Sequence, residues 1–206
     1  PKFDMDLLAD DRAVERFIIA RKGDLKVAHD MMFKTLRWRA EFNGGRGVRS
    51  VEKESFSRDL CTGQRRFYGH DKKGRPVVYV KVKLHTQPLD MQEFSNFMVW
   101  SMEHYIVIPQ QQKNPKIQAL VVIDLEGIGW ANLDLKTLPY MADVFQNMYP
   151  ECFGTGLVIN APWIFWASWS LIKTFLDPNM AAKITFGSLE DLSKYVDEKE
   201  ILPYEK

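Results

Sequence analysis

The chain has few of the residues that usually carry catalytic or metal chemistry. Its two cysteines, Cys61 and Cys152, show no metal or dithiol spacing and suggest a reducing compartment. Neither is followed six residues later by arginine, which argues against a phosphatase-type loop. The four histidines, His29, His70, His85 and His104, are scattered and show no ligand spacing. Charge of one sign is also lacking: the net charge is +1, so no global field recruits nucleic acid and any anion site must be local. Gly154-Thr155-Gly156 stands before a strand, the wrong side for a phosphate-cradling loop. No nucleophile elbow occurs, no signal peptide or transmembrane run is visible, and no internal repeat or low-complexity tract appears. Asp124 and Glu126 can be read as a paired acid and base, but a strand end with Gly127 making the turn is the simpler reading. Catalytic constellations are therefore not in evidence.

What the chain has instead is one very apolar stretch, Asn160–Lys183. Between Pro162 and Leu176 its only charge is Lys173, and three of the six tryptophans, Trp163, Trp166 and Trp169, fall there. Pro162 suits a first helical position, and Asp177-Pro178 ends the helix. Phe165, Trp169, Ile172 and Leu176 form one stripe at helical spacing, which Ile164, Leu171 and Phe175 widen well past a half-turn. The stretch is too short to span a bilayer, which takes about 20 apolar residues. It is either a core helix buried all round or a helix with one face towards something apolar that is not protein. Indoles favour wet–dry boundaries.

The 206 residues suit one domain with a large core and a small appendage. Residues from about Leu7 to Phe42 read as helices, with Asp24 capping the second after Arg21-Lys22-Gly23. Asn43-Gly44-Gly45-Arg46-Gly47 breaks the pattern, which places a boundary between a helical unit at 1–47 and a main domain at 48–206. The main domain alternates. Strands are expected at Pro76–Val82, Ala119–Asp124, Thr155–Ile159 and Ile184–Phe186. Helices are expected at Asp90–Tyr105, with Met91, Phe94, Phe97, Met98, Met102 and Tyr105 inward, around Leu135–Tyr149, and at Leu189–Val196. This order predicts an α/β domain with a mainly parallel sheet.

Several segments, in order, resemble the CRAL-TRIO lipid-binding family, and within it the phosphatidylinositol-transfer branch. They are Arg16–Lys22, Trp38-Arg39, Tyr68–Val77, Ile123–Gly127, Tyr149-Pro150-Glu151, Ile159–Pro162 and Phe175–Pro178 ending at Lys183. The resemblance implies an N-terminal helical lobe beside an α/β lobe whose sheet floors an apolar pocket. The tryptophan helix would be the gate, with Trp163, Phe165, Trp166, Trp169, Ile172, Phe175 and Leu176 meeting lipid chains or bilayer. It also implies that Arg21, Lys22, Glu151, Asp177 and Lys183 hold the lipid headgroup, cations on the phosphodiester and carboxylates on inositol hydroxyls.

The chain departs from that branch at three places. Met180 stands where a threonine is usual, Cys152 where an arginine is frequent, and Ala119 and Val121 where dual-ligand members carry hydroxyls for phosphatidylcholine. An apolar wall cannot satisfy a buried phosphate. The resemblance implies a non-enzymatic, cytoplasmic, peripheral membrane protein that binds and transfers phosphatidylinositol or a similar lipid and uses no cofactor beyond it. Its partners would be phospholipid and a transient membrane surface, not nucleic acid. Alternatives are a lipid-sensing scaffold for a lipid kinase or small GTPase, and a carrier of a sterol, tocopherol-like compound or haem.

Overall fold

The computed structural model describes residues 3–56, 62–85, 90–107 and 118–203. Cys61 lies outside them. Three N-terminal helices come first: α1 (Met5–Leu8), α2 (Asp11–Ala20) and α3 (Leu25–Gly45). Each begins at an aspartate whose carboxylate accepts a backbone N–H of the first turn: Asp4 from Leu7, Asp10 from Arg12 and Asp24 from Val27. The cap at Asp10 divides what periodicity alone reads as one helix. The expected break lies at the end of α3, where Asn43 and Gly44 take left-handed dihedrals after an extended Phe42.

The sheet runs β1 (Arg65–His70), β2 (Pro76–Lys81), β3 (Ala119–Asp124), β4 (Phe153–Ile159) and β5 (Ile184–Gly187), in that spatial order. β1 is antiparallel to β2, and the other pairings are parallel. Between β1 and β2, Asp71 accepts the Arg75 backbone N–H at 2.8 Å and its guanidinium Nε at 2.7 Å, with Gly74 left-handed in the turn.

Strands in consecutive order with right-handed crossovers put every crossover helix on one face. That face carries Val78, Val80, Ala119, Val121, Ile123 and Val158, and it packs against α4 (Met91–Met102), α5 (Leu138–Asp143) and α6 (Trp163–Lys173). A short α7 (Pro178–Ala182) leads into β5. The back face, with Val77, Tyr79, Leu120, Val122, Leu157 and Ile159, is covered by Leu192, Val196 and Leu202 of the C-terminal segment. β3 is thus buried on both faces, which is why it shows no alternation.

Several expectations shift. α4 and α5 continue into π-turns at Glu103–Val107 and Val144–Met148. Met91 and Tyr105 are exposed rather than inward; Met91 sits in the first turn of α4, and Tyr105 stacks on Phe67 with centroids 3.7 Å apart. β4 begins at Phe153, and the last helical segment is a 3₁₀ turn at Glu190–Lys194. Pro162 caps α6 instead of opening it, and α6 ends at Lys173, with a turn before Asp177.

A buried ionic knot joins the N-terminal helices to the sheet domain. Arg39 of α3, fully enclosed, donates to Glu103 at 2.6 and 3.0 Å and to Asp4 at 3.0 and 2.6 Å. The Tyr149 hydroxyl donates to Glu103 at 2.7 Å. Burial would raise the Asp4 carboxyl, but the Arg39 charge and hydrogen bonds, with Arg49, outweigh it and hold it below the ordinary range. Burial, then the Glu103 charge, pushes the Tyr149 hydroxyl well up, so it stays a donor.

Arg39→Met leaves Glu103 buried without its cation and should cost about 3–5 kcal/mol, on the order of 10 °C in melting temperature. The Asp4 pair works in the opposite direction to a raised base. Its folded pKa lies below the unfolded value of about 3.9, so its stabilisation is complete above that value and is lost as pH falls through the folded one. Melting curves should therefore show the gap between the natural protein and Asp4→Asn closing between about pH 5 and pH 2.

Candidate functional site

One cleft gathers residues from three segments, two of them far from the first in sequence. It is lined by Arg21, Gln146, Glu151, Asp177, Met180 and Lys183, among others, and is half open to solvent. Arg21 closes α2: its backbone N–H bonds back to Phe17 and Ile18 carbonyls, and Lys22 and Gly23 then turn the chain through left-handed dihedrals. The Arg21 guanidinium donates to Asn147 Oδ1 at 3.0 Å. Asn147 is itself held, its amide donating to Asp143 at 2.8 Å and its carbonyl accepting Thr35 Oγ1 at 3.0 Å.

Glu151 follows Tyr149-Pro150 with φ +57, a left-handed conformation unusual for a glutamate. The buried Tyr149–Glu103 bond anchors the residues just before it. Its Oε2 accepts Lys183 Nζ at 2.9 Å and Gln118 Nε2 at 3.1 Å. Lys183 caps the end of α7, and Asp177 caps its start by accepting the Met180 N–H at 2.8 Å.

The geometry brings Arg21, Glu151, Asp177 and Lys183 together. Lys22 is placed elsewhere: it is exposed on the adjacent turn and does not line the cleft. Met180 is in the lining, where the resemblance expected a hydroxyl. Cys152 is buried behind it, with Arg16 donating to its sulfur at 3.2 Å. Burial raises the Cys152 thiol despite that guanidinium, so it is not a reactive thiolate. Asp124 is structural: it accepts from the side chain of Asn160 at 2.9 Å and from the Glu126 N–H at 3.0 Å, tying two strand ends together.

α6 lies on the front of the sheet with Ile164 and Phe165 buried and Trp169 and Ile172 packed beside them. Phe175 and Leu176 are half-buried in the turn that follows. Its outer side is apolar and wet. Trp163 is 72% exposed and Trp166 48%, while Trp130 of a neighbouring loop, 64% exposed, meets Trp163 edge-on. A core helix buried all round is therefore excluded. Ala119 and Val121 face the same front, Ala119 fully enclosed and Val121 partly. Nearby hydroxyls come from helices instead: Ser95 and Tyr140 bond to each other across α4 and α5.

Gln118, Gln146 and Asn147 were not legible as site residues. Each is a lone amide without periodicity, and only the fold shows what it holds.

Ammonium and guanidinium groups beside carboxylates suit a ligand that carries an anion and hydroxyls together. Lys183 spends one of its three donors on Glu151, and Arg21 spends one on Asn147, which leaves both with donors for a phosphate. The Lys183–Glu151 pair is about a quarter exposed, so it contributes little to stability. Lys183→Ala should shift the melting temperature by no more than about 3 °C, measured by thermal denaturation.

The chain is similar to several known proteins. The CRAL/TRIO domain model matches residues 65–204. The chain is 34% identical over 204 residues to phosphatidylinositol transfer protein CSR1 of Eremothecium gossypii, covering 93% of this chain and 45% of that protein. It is 35% identical over 199 residues to CRAL-TRIO domain-containing protein C3H8.02 of Schizosaccharomyces pombe, covering 93% and 44%. It thus spans just under half the length of either relative. The crystal structure of Sfh5 shares the fold, with a TM-score of 0.71 at 19% identity, over 85% of this chain and 63% of that one.

Proposed function

The chain belongs to the CRAL/TRIO domain family, and on that premise we propose that it is a lipid carrier, not an enzyme, which takes up phosphatidylinositol and exchanges it between membranes. The observation that carries this reading is the cleft itself. Two cations and two carboxylates from segments far apart in the sequence meet there, and the turn after α6, an apolar helix with exposed indoles, leads into the lining at Asp177. In this reading Arg21 and Lys183 take the phosphodiester, and Glu151 and Asp177 accept from inositol hydroxyls. The acyl chains lie between α6 and the front of the sheet.

The energetics favour exchange at a membrane over release to water. Burying a CH₂ is worth roughly 0.8 kcal/mol, so a two-chain lipid with ~30 of them does not leave for water. Between bilayer and pocket the chains trade one apolar medium for another, and that contribution nearly cancels. The headgroup contacts then decide which lipid is held. The apolar Ala119 and Val121 make phosphatidylcholine a poor second ligand.

No helix among the described residues is long and apolar enough to cross a membrane. We place the protein in the cytoplasm as a peripheral visitor that docks through its exposed indoles, needs no cofactor besides its lipid, and presents that lipid to an effector such as a lipid kinase. Partially exposed tryptophans are suited to the bilayer interface.

Transfer of labelled phosphatidylinositol between vesicles tests the reading. A charge-assisted hydrogen bond is worth about 1.5–3 kcal/mol, so Lys183→Ala should lower transfer roughly ten- to a hundredfold. Normal transfer by that variant overturns the headgroup assignment. Tryptophan emission should also change on adding vesicles, and Trp163→Ala with Trp166→Ala should remove most of that change. Unchanged emission at lipid concentrations that support transfer counts against docking through this helix.

A further inference from the structure

Gln146 lies in the π-turn after α5 and reaches across to the segment that follows α6. Its Nε2 donates to the Phe175 carbonyl at 3.3 Å, and its Oε1 accepts the Asp177 backbone N–H. One side-chain amide thus holds the backbone on both sides of Leu176. That short stretch is where α6 ends and α7 begins, with Asp177 already committed as the cap of α7. It is the pivot about which α6 would lift from the sheet.

The turn that carries Gln146 is firmly set. Val144 is buried in the core, and the Tyr149 N–H bonds back to the Val144 carbonyl at 3.0 Å. The next residue, Asn147, holds Arg21 and is tied to α3 by Thr35. The support is therefore buried in the core and the segment it grips is half-buried at the surface, which is the arrangement of a clip.

We propose that Gln146 is a positioning residue that clips the hinge of α6, so that it sets how readily the helix opens rather than which headgroup is bound. This rests on the lipid-carrier reading. Opening breaks both Gln146 hydrogen bonds, and neither bond involves the ligand. Losing them lowers the cost of opening whether the pocket is loaded or empty. Uptake and release then quicken together.

Gln146→Met keeps the length and apolar stem of the side chain and removes both bonds. Gln146→Glu keeps an acceptor for the Asp177 N–H and loses the donor to Phe175. Hydrogen–deuterium exchange of residues 174–177, followed on the protein without added lipid, reads the clip directly. Exchange there should be roughly five- to tenfold faster in Gln146→Met and intermediate in Gln146→Glu, the size expected for one to two ordinary hydrogen bonds. With labelled phosphatidylinositol in vesicles, stopped-flow uptake and release should both rise by about that factor. A general loss of stability would speed exchange throughout the chain and not at this segment alone.

Exchange of 174–177 at the natural rate in Gln146→Met overturns the proposal. So does a raised Kd with unchanged uptake, which would make Gln146 a headgroup ligand. If the protein takes up no phosphatidylinositol, the carrier reading falls, and the exchange measurement still decides whether the clip exists.

Discussion

Arg39 is the point on which the two halves of the molecule depend. A guanidinium with no access to water needs its charge answered, and here the answers come from three directions: Asp4 ahead of α1, Glu103 at the end of α4 and, through Glu103, Tyr149. Removing Glu103 or Arg39 leaves the other as a buried charge in a medium that cannot screen it. The knot therefore specifies a single docking of the N-terminal helices. Tyr149 lies two residues before Glu151, so the same knot also sets the start of the turn that carries the cleft's central carboxylate. Arg21 reaches that carboxylate's neighbourhood only because α2 and α3 are held in this position.

Sheet topology supplies the second constraint. Consecutive parallel strands send all three crossovers to one face, and the chain closes the other with its C-terminal segment. The result is one permanently sealed face and one covered only by helices. Of these, α6 is the one with exposed indoles on its outer side. Its inner residues pack on Val158, Leu125 and Ile128, while its outer indoles meet water. An element with an apolar outside and its end near a cleft of mixed charge is well placed to move between protein and membrane.

Polar amides then connect these features. Gln118 steadies Glu151, Asn147 steadies Arg21, and Gln146 grips the link after α6. The second and third are adjacent in one π-turn, so the headgroup cleft and the base of the helix hang from the same few residues. A π-turn suits that role, since its extra residue re-aims side chains that an α-helix would leave in register.

Much of this was already legible along the chain. The uninterrupted apolar run Ala119–Asp124 reads as a doubly covered strand because no solvent-facing position interrupts it. Asp24 reads as a cap, and the glycines near Gly45 as a break, because those rules are local. The family was visible through motifs in order, and the same motifs pointed to Arg21, Glu151, Asp177 and Lys183, which the fold places in one cleft, and to Lys22, which lies exposed on the turn beside it. Other matters only the tertiary structure decided. Periodicity describes one helix at a time, so it left open which side of α6 is covered. Packing against the sheet settles it, with Phe165 in and Trp163 out. Nor does any local signal announce that Arg21, Glu151 and Lys183 meet, or that Gln146 reaches Phe175 and Asp177. Such contacts depend on where whole elements dock, and docking is set by the summed burial of the core and by the charges trapped within it.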